Sequence, residues 1–233
     1  GYVNEPAYEL HRTMNNYIHE AFEDADVLML ITDKYQSEDE QQFLIQQCCQ
    51  SKLPVIIVLN KVDLCKPAEI PAIQARWESL IPGARFIAVS AKENFNTQGI
   101  IEMVKPFMPE SPAYYSKEDL TDRNMRYFVA EIVRENIFLQ YEKEIPYACE
   151  VVVEEYKELD SMDRIRCVIY VERDSQKNIV IGAKGSAINK LGTASRKQIE
   201  GFIDKKVFLD LFVKVRDGWR NNELDLKRFG YKG

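Results

Sequence analysis

The sequence predicts two domains in series, an open sheet of parallel strands with crossover helices and then a smaller α+β domain. Helical and strand patterns alternate strictly over residues 6–108, whereas residues 124–215 run helix, strand, strand, helix, helix, strand. Between them Pro106, Pro109 and Pro112, with Ser111 and Ser116, punctuate a linker. The expected boundaries are therefore 1–109, a linker at 110–123, and 124–233. A chain of 233 residues has room for two modest cores.

The elements follow in order. Residues 6–22 set Leu10, Met14, Tyr17, Ile18 and Phe22 at helical spacing, and 25–33 read as a buried strand built on Val27-Leu28-Met29-Leu30-Ile31. A helix at 41–51 leads to the apolar run Pro54-Val55-Ile56-Ile57-Val58-Leu59, then a helix at 68–80, a strand ending at Val89, and a helix at 99–108. This alternation is the back half of a doubly wound domain. In the second part a helix at 124–141 presents Phe128, Ile132, Val133, Ile137 and Phe138 on one face. Strands at 148–155 and 164–172, helices at 176–181 and 186–202, and a strand at 207–215 complete it.

Composition narrows the classes. Apolar residues make up 45% and charged residues 29%, as in ordinary globular proteins, and no apolar run reaches the ~20 residues of a membrane span. The chain opens on Gly1 without a charged-then-apolar leader, so it is expected to begin inside a longer, cytoplasmic protein. Five cysteines form no Cys-x-x-Cys pair and only His11 and His19 accompany them, so reduced thiols and no metal cage are expected. The net charge of −6 argues against general nucleic-acid or DNA binding, but it hides a division. Residues 1–113 carry 9 Lys/Arg against 16 Asp/Glu, while 173–217 carry 10 against 5.

Two polar motifs close apolar strands in the first part. Asn60-Lys61-Val62-Asp63 follows the strand ending at Leu59, and Ser90-Ala91-Lys92 follows the strand ending at Val89. Ligands of open α/β sheets sit beyond these strand ends. A guanine base presents N1–H and an exocyclic amine to a carboxylate, which Asp63 would supply. Asn60 would serve its far edge, the Lys61 stem its ring face, and the Ala91 amide its O6. Ser90 and Lys92 complete the candidate set. No Gly-x-x-x-x-Gly-Lys-Ser/Thr loop for phosphates and Mg²⁺ occurs in these residues. The bland alternative is an unrelated α/β turn, since a four-residue string alone is weak.

A second motif, Ile181-Gly182-Ala183-Lys184-Gly185, lies between the two adjacent helices of the second part. Two glycines let backbone approach a sugar–phosphate chain, Lys184 supplies a mobile cation, and the next helix opens with free amides. Ile179, Ile181 and Ile188 offer apolar surface to unstacked bases, and Lys177, Lys190, Arg196 and Lys197 are candidate phosphate contacts. A bare Gly-x-x-Gly is more often a tight turn; the element order and local charge favour RNA here. Lys205 and Lys206 read as a solvated turn, and Trp219 as a core cap.

Together these motifs resemble the Era family of ribosome-assembly GTPases. So do Ser111-Pro112-Ala113-Tyr114-Tyr115, Leu120-Thr121-Asp122-Arg123, Glu144-Ile145-Pro146-Tyr147, Gln176-Lys177-Asn178-Ile179-Val180-Ile181-Gly182 and Val215-Arg216-Asp217-Gly218-Trp219. The resemblance implies part of a doubly wound P-loop-type G domain followed by a KH domain of the second topology. It implies GTP or GDP with Mg²⁺ as ligands of the intact protein, and GTP hydrolysis there. It also implies a partner in the 3′ end of 16S rRNA within the 30S subunit, with peripheral association at the inner membrane. Gly1 would be the last glycine of the family's Asp-x-x-Gly motif and Tyr2 would follow it. No catalytic residue can be named, and the chain alone is expected to hold nucleotide too weakly to turn it over. The competing readings are a nucleotide-independent KH module with a scaffold G domain, and a double-G-domain ribosome GTPase, whose tail usually lacks the Gly-x-x-Gly.

Overall fold

The computed structural model describes residues 2–110 and 125–231, and the chain divides into two compact units, 1–112 and 113–233. Apart from Glu110, the predicted linker lies outside the described residues, as do Gly1 and the family-like segments at 111–115 and 120–123.

The first unit runs α1 (Glu9–Asp24), β1 (Leu28–Thr32), α2 (Glu38–Gln50), β2 (Val55–Leu59), α3 (Ile70–Leu80), β3 (Arg85–Ala88) and α4 (Thr97–Val104). The three strands are parallel in the order β1-β2-β3. Every residue of β2 is buried, because this central strand is covered on both faces. Val55 and Ile57 pack with Trp77 and Ile81 of the α3 side, while Ile56 and Val58 pack with Ile87, Val89, Ile100 and Met103. Among the described residues β1 lies at the edge of this sheet, and its Met29 and Ile31 are about half exposed.

Local chemistry moved several boundaries. α2 starts three residues before the expected 41, because Ser37 and Glu40 form a reciprocal capping box. α4 ends before Pro106, which lacks an N–H, and a 3-10 turn Lys105–Phe107 replaces its expected end. Tyr2 stacks on Phe43, with ring centroids 4.2 Å apart.

The second unit runs α5 (Met125–Gln140), α6 (Ile145–Ala148), β4 (Glu150–Lys157), β5 (Asp163–Val171), α7 (Asp174–Ile181), α8 (Ser186–Ile203), β6 (Val207–Val215) and α9 (Glu223–Arg228). The sheet order is β4-β5-β6; β4 and β5 are antiparallel, and the α7–α8 crossover makes β6 parallel to β5. Val129, Val133 and Ile137 of α5, Leu191 and Ile199 of α8, and Ile165, Cys167 and Ile169 of β5 form the core. Burial of about ten such side chains, each worth roughly 1.5–3 kcal/mol, is the main force holding helices to sheet. α6 and α9 were not anticipated from sequence. Trp219 is 1% exposed against Phe229, as a core cap should be. Lys205 corrects its assignment to a solvated turn: its ammonium lies 2.6 Å from Asp163, a buried carboxylate that also accepts a hydrogen bond from Tyr156.

Glu150 is the outlier of this core. Burial pushes its carboxyl above the ordinary 4.5, against the Tyr231 hydroxyl, which donates to it at 2.8 Å, and the nearby Arg134. The folded state therefore binds the proton more tightly than the unfolded chain, and stability falls as pH rises from about 4.5. Glu150→Gln keeps an acceptor for Tyr231 and removes the buried charge. It should raise the melting temperature at neutral pH, with the difference vanishing below about pH 4. A variant less stable than the parent at pH 7 in thermal melts would refute this.

Candidate guanine-base and RNA sites

The first site assembles where β2 and β3 end. Asn60 N–H donates to the Thr32 carbonyl, Val89 N–H to the Leu59 carbonyl and Val62 N–H to the Val89 carbonyl, so both motifs extend the sheet ladder. The chain then turns sharply, since Lys61 sits in the left-handed region at φ 59° and a 3-10 turn Val62–Leu64 follows. Asn60 Oδ1 accepts from the amides of Lys61 (2.8 Å) and Ala91 (3.0 Å). Ser90, 1% exposed, donates its hydroxyl to Asp63 Oδ1 at 2.6 Å and accepts from the Glu93 amide. Its backbone exchanges two hydrogen bonds with Phe95, which closes the 90–95 loop tightly.

One expectation is altered. The Ala91 amide, assigned to a base oxygen, donates to Asn60 instead and ties the two motifs together. Lys92 is 82% exposed by its side chain and 3.8 Å from Glu93, outside this cluster. Asp33, at the end of β1, was not singled out from sequence. Burial opposes its charge, but Lys61 Nζ at 2.6 Å and the Tyr35 amide outweigh this and hold its carboxyl below the ordinary value. The ion pair holds the Lys61 ammonium against Asp33, with the lysine side chain still more than half exposed. Among the described residues no cluster of three His, Cys, Asp or Glu side chains could hold a metal ion.

The second site is built by α5, α7 and α8. Tyr141 donates its hydroxyl to the Val180 carbonyl (2.8 Å), and Gln140 Nε2 donates to the Ala187 carbonyl (2.7 Å), so both sides of the glycine loop are anchored to the end of α5. Gly182 adopts φ 74° and ψ 174°, and Gly185 φ 79° and ψ 12°. A Cβ on Gly182 would lie 2.6 Å from the Ala187 Cβ, whereas one on Gly185 would meet only the Asn189 side chain, at an ordinary 3.9 Å. Ala183 and Lys184 are exposed at the apex, Ile179 is half exposed, and Ile181 is partly buried.

A groove of about 280 Å³ runs between α8 and β6, lined by Ile188, Asn189, Thr193, Arg196, Phe208 and Asp210 among others. Arg196 belongs to it. Lys190 and Lys197 do not line it. Lys177 is not part of the groove either. Asn189, Thr193, Phe208 and Asp210 were not singled out from sequence; the i, i+4 spacing of Asn189 and Thr193 on the flank that also carries Arg196 was the available signal.

A parallel α/β segment of the G-domain type followed by an α+β domain with a glycine loop between two helices defines the class of protein. Residues 144–220 match the KH domain family. The chain is 39% identical to the GTPase Era of Geotalea daltonii over 207 residues, covering 88% of this chain and 70% of that protein. It is also 39% identical over its whole length to a rice protein, "GTPase ERA-like, chloroplastic", but spans only 56% of it. An Aquifex aeolicus Era structure bound to GDP·AlF4⁻ superposes with a TM-score of 0.90 at 26% identity, covering all of this chain and 80% of that one. A structure of Era with MgGDPNP and nucleotides 1506–1542 of 16S ribosomal RNA gives 0.90 at 27%, with the same coverage. The chain belongs to the GTPase Era family.

Proposed function

We propose that these residues are the base-reading and RNA-binding portion of a GTP-binding, GTP-hydrolysing switch. It binds the single-stranded 3′ end of 16S rRNA through its KH domain and acts in assembly of the 30S subunit. The observation that carries this reading is that one chain holds both a Ser90-fixed Asp63 carboxylate at the strand ends and a glycine cradle clamped by α5. Guanine contacts are assigned to Asn60, Lys61, Asp63 and Ser90, with Ala91 tying the two motifs together, and phosphate contacts to the Gly182–Gly185 backbone, Lys184 and Arg196. Neighbours named with GDP·AlF4⁻ and MgGDPNP support guanine nucleotide with Mg²⁺ as the ligand of the intact protein. Hydrolysis requires phosphate-binding machinery beyond these motifs, so we assign no catalytic residue and expect no turnover by this chain alone.

The compartment we propose is the cytoplasm or its plastid equivalent, given the chloroplastic name of the rice relative. No described helix is long and apolar enough to cross a membrane.

The test is fluorescence anisotropy of a labelled single-stranded RNA with the 3′-terminal small-subunit sequence, titrated between about 50 and 200 mM salt. Lys184→Asp should weaken binding roughly tenfold or more and flatten the salt slope by about 0.7, the loss of one single-strand phosphate contact. Binding indifferent to Lys184 and to scrambling of the RNA would defeat the assignment.

A further inference from the structure

The β4–β5–β6 sheet has a face turned away from α5, α7 and α8, and the fold covers only part of it. Phe229 rests on Tyr170 with centroids 5.0 Å apart, and Tyr231 reaches Glu150, so the C-terminal segment closes the end of this face nearest them. Beside β6 it stays open. There Leu209, Leu211 and Val213 point into the core, and the alternation turns Phe208, Asp210 and Phe212 outward. Phe208 is 45% and Phe212 44% exposed, large aromatic areas left in water at a sheet edge.

Each ring has a guanidinium over it. Arg164 lies 5.5 Å from the Phe208 centroid and Arg166 5.4 Å from that of Phe212. Arg164 makes no ion pair among the described residues, and Arg166 reaches Asp210 only at 3.9 Å. Four residues of strand separate the rings by about 13 Å, room for a separate base on each. Phe208 and Asp210 also line the groove between α8 and β6, whose lining begins at Ile188, three residues beyond the glycine loop. Among the described residues β6 has no strand partner on its outer side, so nothing in the sheet stands between groove and open face.

We propose that Phe208 and Phe212, flanked by Arg164 and Arg166, form a second stacking platform for single-stranded RNA that leaves the α8–β6 groove and passes over the β6 edge. The rings supply sequence-tolerant stacking, and the guanidinium groups supply cation–π contacts and phosphate neutralisation. A protein partner is less suited, because two separate rings bracketed by cations do not make a contiguous apolar patch. The platform extends the length of RNA bound rather than the sequence read.

This inference rests on the RNA reading above, and the experiment separates the two. Anisotropy is measured on the whole chain with an RNA of about four nucleotides, the span that a KH cleft clamps, and one of about twelve. Phe212→Leu keeps an apolar side chain but removes the ring. It should leave the short RNA unchanged and weaken the long one about tenfold, while Phe212→Tyr keeps both affinities. Arg164→Ala should move the long RNA in the same direction. Equal losses for both RNAs in Phe212→Leu, or no loss for either, overturn the platform. If Lys184→Asp abolishes binding while Phe212→Leu changes nothing, only the platform falls. If the parent chain binds neither RNA, the platform falls together with the RNA assignment.

Discussion

Gly182→Ala is expected to destabilise the second domain by about 2–4 kcal/mol and to abolish RNA binding, whereas Gly185→Ala should cost only about 1 kcal/mol. The two glycines look equivalent in sequence but occupy different backbone states. Gly182, at φ 74° and ψ 174°, lies in a region open essentially to glycine alone, and an added Cβ would meet the Ala187 Cβ at 2.6 Å and its backbone nitrogen at 2.9 Å. Relief would require α8 to move away from the end of α7. That movement would pull the Ala187 carbonyl from Gln140 and break the clamp on the cradle. Gly185 is in the ordinary left-handed region, which L-residues enter at roughly 1–2 kcal/mol, and only Asn189 comes near its Cβ position, at 3.9 Å. Urea titrations of both variants, monitored by Trp219 fluorescence, measure the difference. Indistinguishable midpoints would mean that the close approach of Ala187 does not constrain the loop.

Much of this was legible from residues alone, and the reasons differ by element. β2 could be read because its five apolar residues are bounded by Pro54 and Asn60, and continuous burial matches a central parallel strand. The glycine cradle could be read because positive φ at two closely spaced positions leaves glycine as the preferred residue. α9 could not. It has six residues, Leu224 is 77% exposed, and its stability comes from the Asn222 cap and the Arg216–Asp225 pair. α6 is a single four-residue turn, too short for a period to show. The groove wall on β6 was hidden for a different reason. Phe208 and Asp210 become neighbours of Asn189 and Thr193 only once α8 packs on the sheet. Likewise Ala91 and Asn60 carry plausible separate roles until tertiary contact joins them.

In the intact protein, Asp63→Asn should lower affinity for GTP by about 10²–10⁴-fold and raise affinity for xanthosine triphosphate. The argument starts from the hydrogen bond between Ser90 and Asp63. Ser90 occupies one carboxylate oxygen with a 2.6 Å bond from a buried hydroxyl, so the side chain cannot rotate freely and its remaining lone pairs face outward from the strand ends. Guanine offers two donors there, N1–H and the exocyclic amine, and hydrogen bonds to a charged acceptor contribute about 1.5–3 kcal/mol each. The amide introduced by Asp63→Asn would keep its carbonyl oxygen on Ser90 and turn its NH₂ toward the base, setting donor against donor. Xanthine carries an oxygen where guanine carries the amine, and it accepts from that NH₂. The exchange alters one edge of the base and leaves phosphate contacts alone, so loss and gain should appear in affinity rather than in the hydrolysis step. Competition of GDP and xanthosine diphosphate against a fluorescent nucleotide reads both directly. If the variant still prefers GDP, Asp63 does not face the base, and its bond to Ser90 only fixes the turn between β2 and α3.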